Sequence, residues 1–123
     1  MVSSYQIDPS RRLATVTLSG TVHGYEIAAS ARSLYTDPKW VAGFDVLSDG
    51  TAITELLFEK ADVPAFVQLR IEYAAVSPRY EIILVNRVLD RAMAQMYATL
   101  MKSSGYQVQV CQSQAEVDKI LAR

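Results

Sequence analysis

The sequence predicts an α/β fold: a single layer of mixed, mostly parallel sheet with five strands, in the order ββαβαβαβα. Period-two alternation over Leu13–Ser19 is typical of a strand with one buried face. The continuous apolar run Ile82–Val85 is typical of a central strand buried on both faces. From Tyr25 onward, helical patterns alternate with strands, which implies parallel pairing through right-handed crossovers.

Length and composition bound the class of protein. The chain has 123 residues, the common size of one domain, and we treat residues 1–123 as a single domain. Half of the residues are hydrophobic and 20% are charged, which is ordinary globular composition. Lys and Arg number 12 against 13 for Asp and Glu, giving a formal net charge of -1. The chain lacks the basic excess that neutralises phosphates, so we expect no nucleic-acid partner.

A hairpin is predicted at the N-terminus. The strands Tyr5–Asp8 and Leu13–Ser19 are joined by the turn-forming residues 9–12. Because this connection is too short for a crossover, we expect the two strands to be antiparallel.

A loop and a helix are expected next. Gly20 and Gly24 are expected to flank a loop that contains His23. Tyr25–Tyr35 has the spacing of an amphipathic helix. The Asp-Pro pair that follows ends this helix, because the residue before proline avoids the α region.

The third strand is predicted over Phe44–Ser48, with the turn-forming pair Asp49-Gly50 closing it. Thr51–Phe58 is ambiguous, since its apolar residues suit either a short extended segment or the start of a helix.

The second helix is predicted to begin at a cap formed by Asp62, with Pro64 in its first turn, and to stop before Pro78. Its apolar stripe consists of Val63, Val67, Ile71 and Ala74. The buried strand at Ile82–Val85 follows it.

The C-terminal elements are a helix, a strand and a short helix. Val88–Met101 is the third helix, and Gly105 sits where its C-terminal cap is expected. The predicted core face of this helix is Leu89, Met93, Met96 and Leu100. Tyr106–Val110 alternates as the fifth strand, and Ser113 with Glu116 forms a capping box for the final helix.

Polar residues on the second and fifth strands indicate how the helices are distributed. Threonines alternate on the second strand, and Gln107 and Gln109 do so on the fifth. This predicts helices mainly on one face of the sheet. The other face is expected to be more open, with an apolar centre at Ile82 or Ile83, which suits a ligand or a second subunit.

With these elements in place, the chain resembles the SpoIIAA-like family, which is related to STAS domains and to the Sec14/CRAL-TRIO lipid-binding fold. The resemblance covers nearly the whole chain. The similar segments are YQIDPSRRLATVTLSGTVHGYEI, FDVLSDG, ILVNRVLDRAMAQMYATL and VQVCQSQAEVDKIL. The resemblance implies a mixed sheet of four or five strands with helices packed against it. It also implies a non-enzymatic regulatory or binding role.

Anti-sigma-factor antagonists of the STAS group carry a phosphorylatable Ser or Thr in a loop after the third strand, within an Asp-Ser-Ser/Thr-Gly pattern. The matching segment here is SDGTAIT, residues 48–54. It keeps an aspartate and hydroxyl groups but lacks that pattern. The resemblance therefore carries no phosphorylation site onto this chain.

Several chemistries lack the residues that they need. Cys111 is the only cysteine and His23 the only histidine, so neither an internal disulfide nor a Cys/His metal site is expected. Phosphate-binding glycine loops and a nucleophile elbow are missing from the sequence, so we expect no cofactor and no enzymatic activity. The chain lacks the apolar stretch of a signal peptide or of a transmembrane segment, and a cytoplasmic location is expected.

One candidate ligand-binding site follows from the rule that ligands of open α/β sheets lie beyond the carboxyl ends of the strands. The residues gathered there are His23, Asp49, Thr51, Asn86, Arg87 and Gln112. Arg87 and Arg91 lie near the start of the third helix, where backbone N–H groups favour an anion such as a carboxylate or phosphate. The alternative is that both arginines are solvated or pair with Asp90 or nearby acids.

Two further hypotheses each have a simpler alternative. His23 and Asp49 could form a general-base pair if their loops meet, whereas the alternative is a loop or capping histidine. A stripe on the third helix could line an adaptable apolar pocket or belong to an ordinary core. This stripe consists of Met93, Met96, Tyr97 and Met101.

The sequence therefore predicts a non-catalytic binding or regulatory domain. It would act through contact with a protein partner or with a second copy of itself, as a homodimer. The alternative is a carrier or sensor of a small apolar, lipid-like or anionic ligand.

Overall fold

A computed structural model describes residues 3–123, which form one sheet of five strands and four α-helices. The strands are β1 (Ser3–Asp8), β2 (Leu13–His23), β3 (Asp45–Leu57), β4 (Glu81–Leu84) and β5 (Val108–Cys111). The helices are α1 (Gly24–Thr36), α2 (Val63–Glu72), α3 (Val88–Ser103) and α4 (Gln114–Leu121). The spatial order is β1-β2-β3-β4-β5, antiparallel between β1 and β2 and parallel elsewhere. The predicted α/β class, element order and mostly parallel sheet are confirmed.

The apolar run at the fourth strand occupies the interior of the sheet. β4 lies between β3 and β5 and is parallel to both. Ile82, Leu84 and Val85 are buried. The prediction of a central strand at this position is confirmed, because both faces of β4 are covered.

β2 and β3 extend well past their predicted ends. β2 runs through Gly20 to His23, and β3 runs through Asp49 to Leu57. The predicted loop around His23 and the predicted turn after Asp49 are therefore wrong. The two extensions pair with each other as far as His23 opposite Leu57. Ladder hydrogen bonds along this length outweigh the local turn preference of the sequence.

Irregularities accommodate the turn-forming residues inside these long strands. The register of β2 against β3 shifts between Thr17 and Ser19 and again between Gly20 and Thr21. Gly20 has a φ of 67°, a conformation that glycine adopts without strain. The glycine thus marks a bulge rather than the start of a loop.

The two faces of the sheet carry separate apolar clusters. Leu34 of α1 packs with Val16 and Val46 on one face. Val117 of α4 packs with Ile82 on the other face. The helices α1, α2 and α3 share the first face, as right-handed crossovers to successive neighbouring strands require. This agrees with the predicted distribution of helices.

The expected open face is partly closed. Ile82, one of the two predicted apolar centres of that face, is fully buried in the cluster that contains α4. Ile83 points to the opposite face, beneath α2 and α3. The short last helix turns back across β4 and β5, and this long-range packing is what covers the face.

Helix boundaries follow their predicted signals with two corrections. Ser113 caps α4 by accepting from the Glu116 backbone N–H at 3.3 Å, and Gly105 ends α3 with a φ of 89°. Asp62 does not cap α2 with its side chain, because its carboxylate accepts from the backbone N–H of Glu59 at 2.8 Å. α2 ends at Glu72, before the predicted stop, and a 3₁₀ turn follows it.

The core face of α3 is rotated from the predicted one. Leu89 is 69% exposed, whereas Asp90, Ala94 and Met101 are buried. The apolar stripe of a single helix does not specify which of its edges faces the sheet. The neighbouring α2 decides the rotation, since α3 packs against it. Within residues 3–123, every helix is too short or too polar to cross a membrane.

Candidate functional site

His23 and Asp49, the predicted general-base pair, lie apart. His23 pairs with Leu57 at the end of the β2–β3 ladder, whereas Asp49 pairs with Thr17, six residues earlier on β2. Six residues of strand span about 20 Å, far beyond hydrogen-bond reach. The hydrolase hypothesis built on this pair is wrong. The His23 ring instead stacks on the ring of Tyr25, with centroids 5.1 Å apart.

Asp49 and Thr51 are brought together, as predicted, but inside β3 rather than in a loop. Asp49 Oδ1 accepts from the backbone N–H of Thr51 at 3.0 Å and from its hydroxyl at 2.7 Å. These hydrogen bonds stabilise the register shift of β3 against β2 that begins after Asp49. The Asp49 carboxylate therefore has a structural role.

The predicted arginines of the strand-end site have protein partners. Arg87 Nε lies 3.6 Å from Asp90 Oδ2, one turn along α3. The guanidinium of Arg91 faces the side-chain amide of Gln112, beyond β5, and donates to the amide oxygen once the amide is oriented to accept. Asn86 is exposed between β4 and α3. The alternative, in which an arginine pairs with Asp90, describes Arg87.

A cavity in two adjoining lobes lies instead between the sheet and the helices α1–α3. The residues that line both lobes are Leu18, Ile27, Ser48, Phe66, Glu81 and Tyr97. The first lobe has a volume of about 90 Å³ and extends to Tyr35 and Arg70. The second lobe has a volume of about 140 Å³ and extends to Phe58, Asp90 and Met93. Most of the lining is apolar.

Glu81 supplies the polar centre of this cavity. Its Oε1 accepts from Arg70 Nε at 3.0 Å, and its Oε2 accepts from the Tyr97 hydroxyl at 2.7 Å. Arg70 is only 5% exposed. The rings of Tyr35 and Tyr106 face its guanidinium, with centroids 5.3 and 5.4 Å from Cζ. The two buried charges are therefore matched within the protein.

Burial sets the protonation of the cavity tyrosines. It raises the pKa of the Tyr97 hydroxyl above the ordinary value of 10.0, and the negative charge of Glu81 raises this pKa further. Burial likewise raises the pKa of Tyr35. Both hydroxyls are therefore neutral at physiological pH, so neither acts as a base.

The methionine stripe of α3 divides between the two predicted roles. Met93 and Tyr97 line the second lobe, in agreement with the pocket hypothesis. Met101 is fully buried core, in agreement with the alternative. A single helix thus supplies both a cavity wall and core packing.

Exposed apolar side chains lie near the carboxyl ends of the parallel strands. Val88 is 79% exposed beside Leu89 at the start of α3. Tyr25 and Leu57, which follow or end β2 and β3, are also exposed. We call the adjacent pair Val88 and Leu89 the strand-end patch.

Sequence reasoning missed the charged cavity residues, although a signal was present. Arg70 follows Val67 by three residues, so the helical period places it on the same face as a core residue. Glu81 directly precedes the buried strand run and shares a face with Ile83. A charge at an inward-facing position requires a buried partner, which only the fold identifies.

The chain matches no protein-family model, and no curated protein matches it.

Proposed function

We propose that this protein binds a small, largely apolar ligand in the cavity beneath α1–α3, without catalysing a reaction on it. The observation that carries the proposal is the second lobe, with its volume of about 140 Å³ and mostly apolar lining. An apolar protein cavity of about 150 Å³ holds benzene. The lobe therefore has room for one ring or a short branched chain.

Packing arguments support an occupant. Protein interiors are close-packed, and voids larger than a water molecule are few. Here Phe58 and Phe66, whose ring centroids lie 5.2 Å apart, form part of the wall of the second lobe. Aromatic and methionine walls adapt readily to apolar ligands.

The proposal agrees with membership of the SpoIIAA-like family, which we also propose on the sequence segments quoted above. Its relation to the Sec14/CRAL-TRIO fold points to an apolar or lipid-like ligand. A carrier or sensor of this kind needs no catalytic group. The free thiol of Cys111 fits a reducing compartment, and we place the protein in the cytoplasm.

The proposal is tested by titrating toluene into the ¹⁵N-labelled protein and recording amide shifts. We expect saturable shifts at residues of the second lobe. Ala94→Phe should abolish them, because Ala94 is buried in the lobe wall. Ala92→Phe places the same side chain at an exposed position of α3 and should leave binding unchanged.

Absence of saturable shifts in the unsubstituted protein, or equal binding by Ala94→Phe, would contradict the proposal. Native mass spectrometry of the freshly purified protein gives a second measurement. A mass above that of the polypeptide, lost on denaturation, is the expected result.

The strand-end patch favours a second candidate function, contact with another copy of this chain. Val88 and Leu89 expose apolar side chains side by side at one end of the sheet. Exposed apolar groups at such an edge suit an interface. Light scattering should then show a dimer that Leu89→Asp converts to a monomer. A monomer at every concentration of the unsubstituted protein would remove this candidate.

A further inference from the structure

A buried carboxylate in the second lobe lacks a hydrogen-bond partner. Asp90, in the first turn of α3, is 3% exposed. Neither of its side-chain oxygens makes a hydrogen bond within the described residues 3–123. Leaving a buried polar group unpaired costs free energy, and the cost is larger for a charged group. The helix dipole offsets only part of this cost.

A buried donor without a partner lies beside this acceptor. Arg87 Nη1 is buried and makes no hydrogen bond within the same part of the chain. Arg87 Nε stands 3.6 Å from Asp90 Oδ2, which is close enough for ionic attraction but too far for a hydrogen bond. The opposite charges of Arg87 and Asp90 therefore balance, but no hydrogen bond joins the two side chains.

The carboxylate of the buried Arg70–Glu81 pair differs in this respect. Glu81 receives two short hydrogen bonds, and the Arg70 guanidinium lies between two aromatic rings. Arg70 Nη1 makes no hydrogen bond within residues 3–123, but Arg70 lines only the first lobe. In the wall of the second lobe, Asp90 is therefore the carboxylate whose hydrogen-bonding capacity is unused.

We propose that the second lobe recognises a small alcohol, whose hydroxyl donates to Asp90 in the wall of the lobe while its apolar body fills the lobe. This inference rests on the proposed function and names the class of ligand. A hydroxyl suits Asp90 because it is neutral and donates a hydrogen bond. A carboxylate would be repelled by Asp90, and an ammonium group would be repelled by Arg87, whose charge already lies 3.6 Å from Asp90.

The experiment compares benzyl alcohol with ethylbenzene, which has nearly the same shape but no hydroxyl, by amide-shift titration. The variant is Asp90→Leu, an apolar side chain of similar size. We expect Asp90→Leu to bind benzyl alcohol at least about tenfold more weakly than the unsubstituted protein, since hydrogen bonds to charged groups are worth this much. Binding of ethylbenzene should not weaken.

Two controls accompany the titration. Asp118→Leu removes an exposed carboxylate from α4 and should leave the affinity for both probes unchanged. Thermal unfolding of Asp90→Leu should remain cooperative. If the leucine variant fails to fold, Asp90→Asn replaces it; this variant keeps the shape of the side chain but removes its charge, so it should bind benzyl alcohol more weakly than the unsubstituted protein and ethylbenzene no more weakly.

The outcomes separate this inference from the proposed function. If ethylbenzene binds and Asp90→Leu retains full affinity for benzyl alcohol, the cavity is a ligand site but recognition by Asp90 is wrong. If neither probe binds the unsubstituted protein, both proposals are wrong.

Discussion

Arg70 Nε donates to Glu81 Oε1 across 3.0 Å and so joins α2 to β4 inside the cavity. Both side chains are largely shielded from solvent, with 6% and 12% of their surfaces exposed. Desolvating two charges is costly, and their attraction roughly offsets that cost when the geometry is good. The intact pair therefore adds little net stability, but removing one of its two charges strongly destabilises the folded state.

Arg70→Met should destabilise the protein by about 3–5 kcal/mol, because it leaves the Glu81 carboxylate buried without a counter-charge. Urea unfolding followed by circular dichroism measures this loss. Arg32→Met, at an exposed position of α1, is the matched control and should change stability little. The double variant Arg70→Met with Glu81→Leu should recover part of the loss. A cost for Arg70→Met no larger than that of the control would show that the pair is unimportant.

Gly50 has no room for a side chain. A Cβ at this position would lie 2.8 Å from both Ile53 Cδ1 and Val85 Cγ1. Gly50→Ala should therefore cost about 1–3 kcal/mol through overpacking, again measured by urea unfolding. Combining it with Ile53→Val, which removes one of the opposing methyl groups, should cost less than the sum of the two single changes.

Gly24→Ala is the control for this prediction. There the nearest atom to a new Cβ is Phe66 Cζ at 3.3 Å, the end of a side chain that can move. Alanine also suits the helix that begins at this residue. A larger destabilisation at Gly24 than at Gly50 would contradict the packing account of Gly50.

Cys111 should react slowly with a thiol reagent in the native protein. Its side chain is buried at the end of β5, and burial raises the pKa of the thiol above the ordinary value of 9.0. The nearby charge of Glu116 acts in the same direction. Because the thiolate is the reactive form, reaction with an aromatic disulfide at pH 8 should await unfolding.

The measurement is the rate of colour release with and without urea. The control, Cys111→Ala combined with Ala115→Cys, presents a thiol at an exposed position of α4 and should react at once. Equal rates for the two native proteins would show that Cys111 is accessible.

The pH dependence of stability should report the burial of Asp90. Burial raises the pKa of Asp90 above the ordinary value of 3.8, and the positive charge of Arg87 only partly opposes this. The folded state therefore binds this proton more tightly than the unfolded chain does. The stabilisation from protonation is complete below about pH 3.8 and is lost as the pH rises through the raised pKa of the folded state.

The unsubstituted protein should thus lose stability relative to Asp90→Asn between pH 4 and neutral pH. Urea unfolding of both proteins across that range measures the difference. Asp118→Asn, which changes an exposed carboxylate, controls for net charge. A gain in relative stability with rising pH would mean that the carboxylate is better stabilised in the folded protein than we infer.

The sequence alone determined the class and order of the elements. The run Ile82–Val85 indicated an interior strand, Ser113 indicated the start of α4, and Gly105 indicated the end of α3. These signals are local: periodicity, capping and left-handed backbone depend on a few neighbouring residues. Such features can therefore be predicted from the sequence before the fold is known.

Only the tertiary structure decided how far β2 and β3 run and which charged residues meet. His23 and Asp49 looked like loop residues near each other, but the parallel pairing of the two strands keeps them apart. Glu81, Arg70 and Asp90 come from different elements and meet at a cavity that no local pattern describes. Strand register and helix rotation are set by contacts between distant segments, and those contacts assemble the site.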